Sequence, residues 1–586
     1  MDKYYTSEKH TQILIALMKF HGVRKIVASP GATNVCFLGS VQNDPYFEIY
    51  SSVDERSAAY IACGLAAESG EPVALTCTGS TASRNYLPGL TEAYYRQLPV
   101  LAITATQHPG RVGNYCAQTV DRSEPPKDTV RCSVQLDCVY TEEDEWACQI
   151  KANKALIALR KNGGGPAHIN LVTTYSKDYS VKELPKVKGI SHIEDVHAMP
   201  SLEKYKRIAI LVGVHSKWSP RLADLVERFC EKYDAVVLKN HASNYHGNYG
   251  VAHALLYSMK GYMPTSRQAD LVIYIGGVAR YSSGMHSAHM WRVNPDGEIR
   301  DFEKNTTAVF QMTEEQFFEY YVNAVKEKQA EVVEYAKQWQ KEYHDVVTMA
   351  PELPFSNVWV AQQLSQKLPA GAVFHMAGSN TARAWNFFEL ANRNECYSND
   401  GAMGIDGQVS ALIGESLAEP SRLHFGAVGD LTFFYDMNSI GNRHVGNNIR
   451  LVVVNNGKGA EFRIYTHPAN NFGEEADRFM AAAGHFGNRS KDLIRNYAQD
   501  LGFEYLFASN KDEFLKQIDR FTTTETLERP ILFEVFTDSK DESDAIYAMN
   551  HIIQNGSGKA KEAAQNLVRS VAGEEGIAKI KKLLRK

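Results

Sequence analysis

The sequence predicts an α/β protein of three domains, each a mainly parallel sheet flanked by helices. Three observations lead there. Short β-branched runs such as residues 449–454 have the unbroken apolar character of strands covered on both faces. They alternate with stretches whose apolar residues recur at helical spacing, the pattern of strand–helix–strand units. And 586 residues, 44% of them apolar, are too many for one core and enough for three or four.

In chain order, residues 7–21 read as an amphipathic helix. Residues 25–29 are a strand entering the turn Pro30-Gly31-Ala32-Thr33-Asn34, and 47–50 are a second strand. A helix of small residues, 61–67, opens at Val53-Asp54-Glu55. Residues 72–77 and 100–104 are further strands, the first broken by Thr78-Gly79-Ser80-Thr81-Ala82. Residues 164–171 close a first domain over 1–180. Residues 175–203 are charged, contain proline and lack periodicity, as a linker does. A central domain over 190–345 follows, with strands at 208–212, 235–238, 271–277 and 291–297, a helix at 222–233 and a charged helical segment at 314–347. The third domain, 350–550, opens with a helix at 357–368 and has strands at 372–376, 424–428 and 449–454. A Gly-Ser-Gly joint then starts a C-terminal basic helix over 556–586. Val568, Val571, Ile577, Ile580 and Leu584 give that helix an apolar face to pack on the body or on a neighbouring subunit.

A net charge of −5 with both signs mixed leaves no electrostatic footprint for nucleic acid or for an anionic membrane surface. No apolar run approaches the roughly 20 residues of a spanning helix, and the first residues lack the apolar core of a leader. Nine cysteines, an odd number without CxxC pairs, fit reduced thiols in a cytoplasmic protein.

The chemistry concentrates in the third domain. The strand at 424–428 stops at Gly429-Asp430, and a helix is expected from Leu431. The strand at 449–454 runs into Asn455-Asn456-Gly457-Lys458-Gly459. One carboxylate and one carboxamide therefore stand at the ends of two strands with a helix N-terminus between them. Mg²⁺ takes oxygen ligands and keeps places for phosphate and water. Asp430, Asn456 and a backbone carbonyl near Lys458 are candidate ligands, and the helix N-terminus suits the phosphates.

This Gly-Asp-X … Asn-Asn spacing resembles the motif of the thiamine-diphosphate enzymes, with the pyruvate oxidase and acetolactate synthase type of three-domain chain. Tyr397-Ser398-Asn399-Asp400-Gly401-Ala402-Met403-Gly404-Ile405-Asp406-Gly407 is similar to the active-site strand and turn of the menaquinone-pathway synthases, which join 2-oxoglutarate to isochorismate. The resemblance implies pyrimidine-binding, central and diphosphate-binding domains in that order. It implies thiamine diphosphate and Mg²⁺ as cofactors. Glu55 falls where the family sets a glutamate against N1′ of the aminopyrimidine, and Gln118 where a glutamine reaches the reacting centre, although Ala117 takes the place of the family's asparagine. Ser379 and Asn380 match a turn on the diphosphate, and the backbone of Gly401, Ala402 and Met403 matches the aminopyrimidine contact. Ile405 matches the wedge that holds the cofactor bent. Gly429, Asp430, Leu431, Asn456, Lys458 and Gly459 match the metal–diphosphate site, and Glu461 and Phe462 the edge of the substrate pocket. His168 lies in a strand that closes the first domain and is expected to be structural. Since the family's sites span two subunits, a homodimer or homotetramer is implied.

Three arginines that grip acidic substrates in that family are absent. Thr33 and Asn34 follow the first Pro-Gly, Thr106-Gln107-His108-Pro109 replaces an Asp-Arg-Pro, and Asp400 stands for an arginine. None of these makes the bidentate carboxylate contact of arginine, and an aspartate there is expected to repel a diacid. Thr33, Asn34, His108, Asp400, Glu461 and Phe462 are therefore the candidate substrate-pocket residues. The expected function is decarboxylation of a 2-oxo acid with transfer of the acyl carbanion to a carbonyl acceptor, such as a keto-sugar. The alternatives are a simple decarboxylase, a menaquinone-pathway synthase with a rearranged clamp, and a non-catalytic cofactor-binding subunit.

Overall fold

A computed structural model describes residues 4–215, 217–262, 265–285, 288–324, 334–484, 490–525 and 527–553. The basic helix expected over 556–586 lies outside the described residues. Two compact units emerge: residues 1–200 with 289–313, and residues 201–288 with 314–586.

In the first unit the strands are β1 (Lys25–Ala28), β2 (Glu48–Ser51), β3 (Val73–Cys77), β4 (Val100–Thr106), β5 (Cys132–Leu136), β6 (Ala167–Val172) and β7 (Ser191–Ile193). The second unit contributes β8 (Ile208–Val212), β9 (Val236–Lys239), β10 (Gly250–Ala252) and β11 (Leu271–Ile275). The first takes the chain back for β12 (His289–Val293) and β13 (Thr306–Phe310). The second then adds β14 (Val373–Met376), β15 (Glu395–Tyr397), β16 (His424–Gly429), β17 (Ile449–Asn455), β18 (Glu504–Ala508) and β19 (Ile531–Phe536). These strands make three parallel-sheet α/β layers flanked by helices, as the alternation of strand and helix predicts.

The six-stranded sheet of the first unit has the order β2-β1-β3-β4-β6-β5, and all its pairs are parallel. β3 and β4 are buried at every position. Ile13, Leu14, Leu17, Leu101, Ile103, Leu156 and Ile169 fill one face of the sheet. The small-residue helix Glu55–Ser69 covers the other, with Ala58, Ala59, Ala62 and Cys63 against Leu75, Leu90 and Ala102. Small side chains let that helix lie close on its neighbours: a Cβ on Gly89 would meet the Ala59 Cβ at 2.5 Å. The second six-stranded sheet lies in the second unit. Its order is β15-β14-β16-β17-β19-β18, again all parallel.

The stretch expected to be a bare linker, 175–203, contains β7, which pairs in parallel with β13. Three residues, Ser-His-Ile, are too few to show a period. The helix expected from Leu431 begins one residue earlier, at Asp430, with Gly429 as its cap. Among the described residues no helix is long and apolar enough to cross a membrane. All nine cysteines are free thiols.

Candidate active site

In an open parallel sheet, ligands gather at the carboxyl ends of the strands. In the second unit β16 ends at Gly429 and hands Asp430 to the helix Asp430–Asp436. Asp430 is 2% exposed. One of its oxygens accepts the N–H of Leu431 at 2.9 Å, so that N–H is already occupied; the other accepts the N–H of Gly457, in the turn after β17, at 3.0 Å. Burial pushes the Asp430 carboxyl up to about 7, and the two N–H bonds pull against it. Gly457 has φ +81°, the left-handed conformation that brings its N–H round to this carboxylate. Asn456 turns its Oδ1 to within 3.4 Å of the Lys458 N–H, and its carboxamide also hydrogen-bonds Glu542. The Lys458 ammonium is committed to Asp477 at 2.5 Å, so any metal contact from this residue falls to its backbone.

Glu542 escaped the sequence reading. It sits on the helix Ser539–Asn550, fully buried, and accepts the N–H of Asn357 at 3.0 Å and the hydroxyl of Thr537 at 2.6 Å. Burial raises it to about 7, and the nearby Asp430 charge adds to the rise. Glu534 on β19, also raised by burial, takes Asn455 Nδ2 and the Tyr505 hydroxyl, each at 2.7 Å.

The turn after β14 carries Ser379 and Asn380. Ser379 has φ +60° and Met403 φ +56°, backbone strain that proteins retain chiefly where a site requires it. The Ser379 hydroxyl donates to Glu461 at 3.0 Å, and Arg383 donates to both Glu461 oxygens at 3.0 Å and to Asn380 Oδ1 at 2.7 Å. Gly401, Ala402 and Met403 are exposed and Ile405 is half-buried. Gln408, buried, donates to the carbonyl of Gly404 at 2.7 Å and accepts from His375 on β14, which ties this loop to the sheet. Gly459 lies against the Phe462 ring, where a Cβ would come within 3.0 Å. Asp400 is not an open acid: it is buried and ion-paired with Arg280, and Ser398 also donates to it at 3.0 Å. The repulsion expected from Asp400 is thus cancelled within the chain, by an arginine that no local motif marks.

The first unit brings other candidates together. The Thr33 hydroxyl meets that of Thr78 at 2.7 Å and accepts the N–H of Gly79 at 2.9 Å. Gly79 in turn packs on the carbonyls of Ala105 and Gln118, 3.1 Å from where its Cβ would stand. Thr33 and Asn34 are buried, and Asn34 Nδ2 donates to the Ser29 carbonyl at 3.0 Å, so both side chains hold the turn itself. Gln118 is exposed with φ +59°. Glu55 is the first residue of its helix and half-buried, while the Asp54 carboxylate caps the helix by accepting the N–H of Arg56 at 2.9 Å. His108 is exposed and accepts the N–H of Gly110 at 3.1 Å. His168 is buried between the hydroxyls of Thr104, at 2.7 Å, and Ser133, at 2.9 Å. Burial and the Arg122 charge lower it to about 3, which makes it a neutral strut. A cleft of about 620 Å³ in the second unit, lined by Lys239, His246 and Arg393, contains none of these residues.

Residues 8–124 match the family model described as thiamine pyrophosphate enzyme, N-terminal TPP binding domain. Over its length the chain is similar to proteins named 2-succinyl-5-enolpyruvyl-6-hydroxy-3-cyclohexene-1-carboxylate synthase. The one from Bacteroides fragilis is 31% identical over 576 residues, covering 94% of this chain and 100% of the relative. Those from Phocaeicola vulgatus and Bacteroides thetaiotaomicron are 30% and 29% identical, covering 94% and 92% of this chain and 99% and 98% of theirs. The chain belongs to this family of thiamine-diphosphate enzymes.

Thiamine diphosphate with a divalent metal is therefore its cofactor, and the residues present fit that group. Asp430 is a carboxylate held out of water, with no cationic side chain among the influences on it. Such a buried carboxyl is neutralised by a proton or by a cation, and a bound metal would hold it ionised. Among the described residues no group of three or more His, Cys, Asp or Glu side chains is placed to hold a metal. A cation at Asp430 thus has to complete its shell with amide and backbone oxygens, water and phosphate, the mixture Mg²⁺ commonly uses.

Proposed function

We propose that this enzyme decarboxylates a 2-oxo acid and joins the remaining acyl group to the carbonyl carbon of a second, hydroxyl-bearing substrate. In balance, R–CO–COO⁻ and R′–CHO take up one proton and give CO₂ and R–CO–CH(OH)–R′. The bond between the acyl and carboxylate carbons breaks, a carbon–carbon bond forms, and the acceptor oxygen takes the proton. When bound, thiamine diphosphate supplies the electron sink for loss of CO₂. Asp430 and Asn456 hold Mg²⁺, and Gly429, Leu431, Lys458 and Gly459 shape the turns around it. Ser379 and Asn380 bind the diphosphate. Gly401, Ala402 and Met403 would position the aminopyrimidine, and Ile405 would pack against the cofactor. Glu55 holds and returns the proton at the aminopyrimidine, and Gln118 orients the reacting carbonyl.

The observation that supports this reading is that Asp430 and the turn Asn456–Gly457 meet beyond β16 and β17, while Arg383 and Arg280 are paired with Glu461 and Asp400 within the chain. The relatives' name, that of a synthase, supports bond formation over simple decarboxylation. We further infer an active homo-oligomer in which Glu55 of one subunit serves Asp430 and Asn456 of another. Val53 is 79% exposed, Tyr60 and Ile61 on the following helix are also exposed, and Tyr115 beside Gln118 is fully exposed, an apolar face suited to burial against a second copy.

The test is CO₂ release from a panel of 2-oxo acids, including pyruvate and 2-oxoglutarate, with thiamine diphosphate and Mg²⁺, with and without aldehyde or keto-sugar acceptors. Release from one acid that depends on the acceptor supports the reading. Release indifferent to acceptor makes the protein a decarboxylase, and no release from any acid removes the proposal. Light scattering on the full chain should give at least a dimer, dissociated by Ile61→Asp.

A further inference from the structure

The turn after β14 is flanked by two guanidinium–carboxylate pairs. On one side Arg383 grips Glu461 with both of its terminal nitrogens at 3.0 Å, and the same carboxylate accepts the Ser379 hydroxyl at 3.0 Å. This fork-to-fork geometry is the one in which arginine binds a carboxylate most firmly. The pair is not sealed away: the two side chains are 31% and 26% exposed. On the other side Arg280 and Asp400 are nearly sealed, at 6% and 2% exposed. The Arg280 guanidinium lies 3.8 Å from where a Cβ on Gly378 would stand, so this second pair abuts the same turn. Tyr281 fastens the segment by donating to the carbonyl of Ala382 at 3.4 Å.

Each arginine alone would be an anion-binding group next to the diphosphate turn. Each has instead been supplied with an anion from the chain. A substrate carboxylate seeking Arg383 must displace Glu461, which would then lose its cationic partner in a half-buried position and keep only the Ser379 hydroxyl. Leaving one member of such a pair without its partner is strongly unfavourable. A hydroxyl group meets no such cost, because it can donate to a Glu461 oxygen or accept from Arg383 with the pair intact.

We propose that Glu461 is a specificity-determining residue: by occupying Arg383 it excludes carboxylate-bearing acceptors and admits uncharged, hydroxylated ones, with Asp400 doing the same for Arg280 deeper in the wall. This rests on the reading of the site given above and adds the charge class of the acceptor and the residue that sets it. It predicts that anion binding here is latent and can be released by a change that removes charge but not shape.

The experiment uses the full chain loaded with thiamine diphosphate and Mg²⁺. Succinate is the anionic probe, followed by calorimetry, and succinic semialdehyde and glyceraldehyde are the competing acceptors. Wild type should bind succinate weakly and prefer glyceraldehyde. Glu461→Gln should tighten succinate binding by about tenfold or more and shift the ratio of kcat/KM for the two acceptors toward the semialdehyde by a similar factor. Glu461→Gln combined with Arg383→Gln should lose both gains, which separates release of the arginine from loosening of the loop. A Glu461→Gln protein that melts like wild type and leaves succinate affinity unchanged overturns the proposal. So does tight succinate binding to wild type. The calorimetric arm needs no turnover. If no 2-oxo acid releases CO₂, the reaction assigned above fails while the succinate result still decides the role of Glu461.

Discussion

The two six-stranded sheets share one strand order and carry different chemistry at matching turns. In each, the third strand of its sequence lies beside the first, and its loop faces that of the fourth. In the second unit the third-strand turn presents Asp430 and the fourth-strand turn presents Gly457, joined by a hydrogen bond of 3.0 Å. In the first unit the corresponding places hold Thr78–Gly79 and Thr106–Gln107. There the bonds are among hydroxyls and backbone, such as Thr33 Oγ1 to Thr78 Oγ1 at 2.7 Å and the Gly79 N–H to Thr33 Oγ1 at 2.9 Å. One sheet concentrates negative charge out of water; the other is neutral at the matching positions and keeps Glu55 near its surface. The difference teaches that topology supplies the meeting place and a few side chains decide its use. Asp430 is closed in by hydrogen bonds within its own unit, whereas Gln118 is exposed and Glu55 half-buried, as the proposed site between two subunits would require.

That contrast can be broken at either end. Glu55→Gln should give the largest effect, a loss of turnover of about 10²–10⁴-fold, with Mg²⁺–thiamine diphosphate affinity nearly unchanged by tryptophan fluorescence titration. Full activity in that variant would remove Glu55 from proton transfer. Asp430→Ala should act in the opposite manner, weakening the Mg²⁺-dependent part of cofactor binding by about 100-fold, within the range for loss of a charged ligand; an unchanged titration would place the metal elsewhere. Glu542→Gln should be milder, about tenfold in metal affinity, because Glu542 acts indirectly, through Asn456 and through its charge interaction with Asp430. An unchanged affinity would make Glu542 a packing residue.

The smallest effect is one of pH. The Asp430 and Glu542 carboxyls rise in the native chain from 3.8 and 4.5 to about 7. Between those values the native cofactor-free chain holds protons that the unfolded chain has released. The contribution of these two carboxyls to stability should therefore fall as pH rises through this window and level off above about 7, against the opposite contribution of buried histidines such as His168 and His253, whose lowered values favour the native chain as pH rises toward 6.5. Cation affinity should rise over the same window. A melting series from pH 5 to 8 on the cofactor-free wild type and Asp430→Asn, and on wild type with Mg²⁺ and thiamine diphosphate, checks both; a difference between the two cofactor-free proteins that does not change with pH would contradict the raised carboxyl at Asp430.

Much of this was legible in the sequence because it is local. The apolar strand 449–454 flanked by a Gly-Asp corner and an Asn-Asn turn needs only neighbouring residues, and the structure places Asp430 against Gly457 as those strands require. β18 and β19 went unread because Glu504, Tyr505 and Glu534 interrupt their apolar runs, and Glu534 is tolerated there only through its bonds to Asn455 and Tyr505. Glu542 and Arg280 went unread for a different reason. Glu542 meets Asn357 across 185 positions and Arg280 meets Asp400 across 120, so no spacing rule connects them. Asp400 shows the consequence: its charge is plain in the sequence, but the cation that cancels it is not.

The burial of Asp430 and Glu542 also bears on how much of this protein a cell keeps. Two carboxyls held out of water make the cofactor-free chain the weaker form, and a ligand present at about 100 times its dissociation constant adds about 2.7 kcal/mol to the loaded one. A shift of that size is enough to change steady-state abundance several-fold through quality-control proteolysis. Cofactor supply would then act on the amount of this protein as well as on the occupancy of its site.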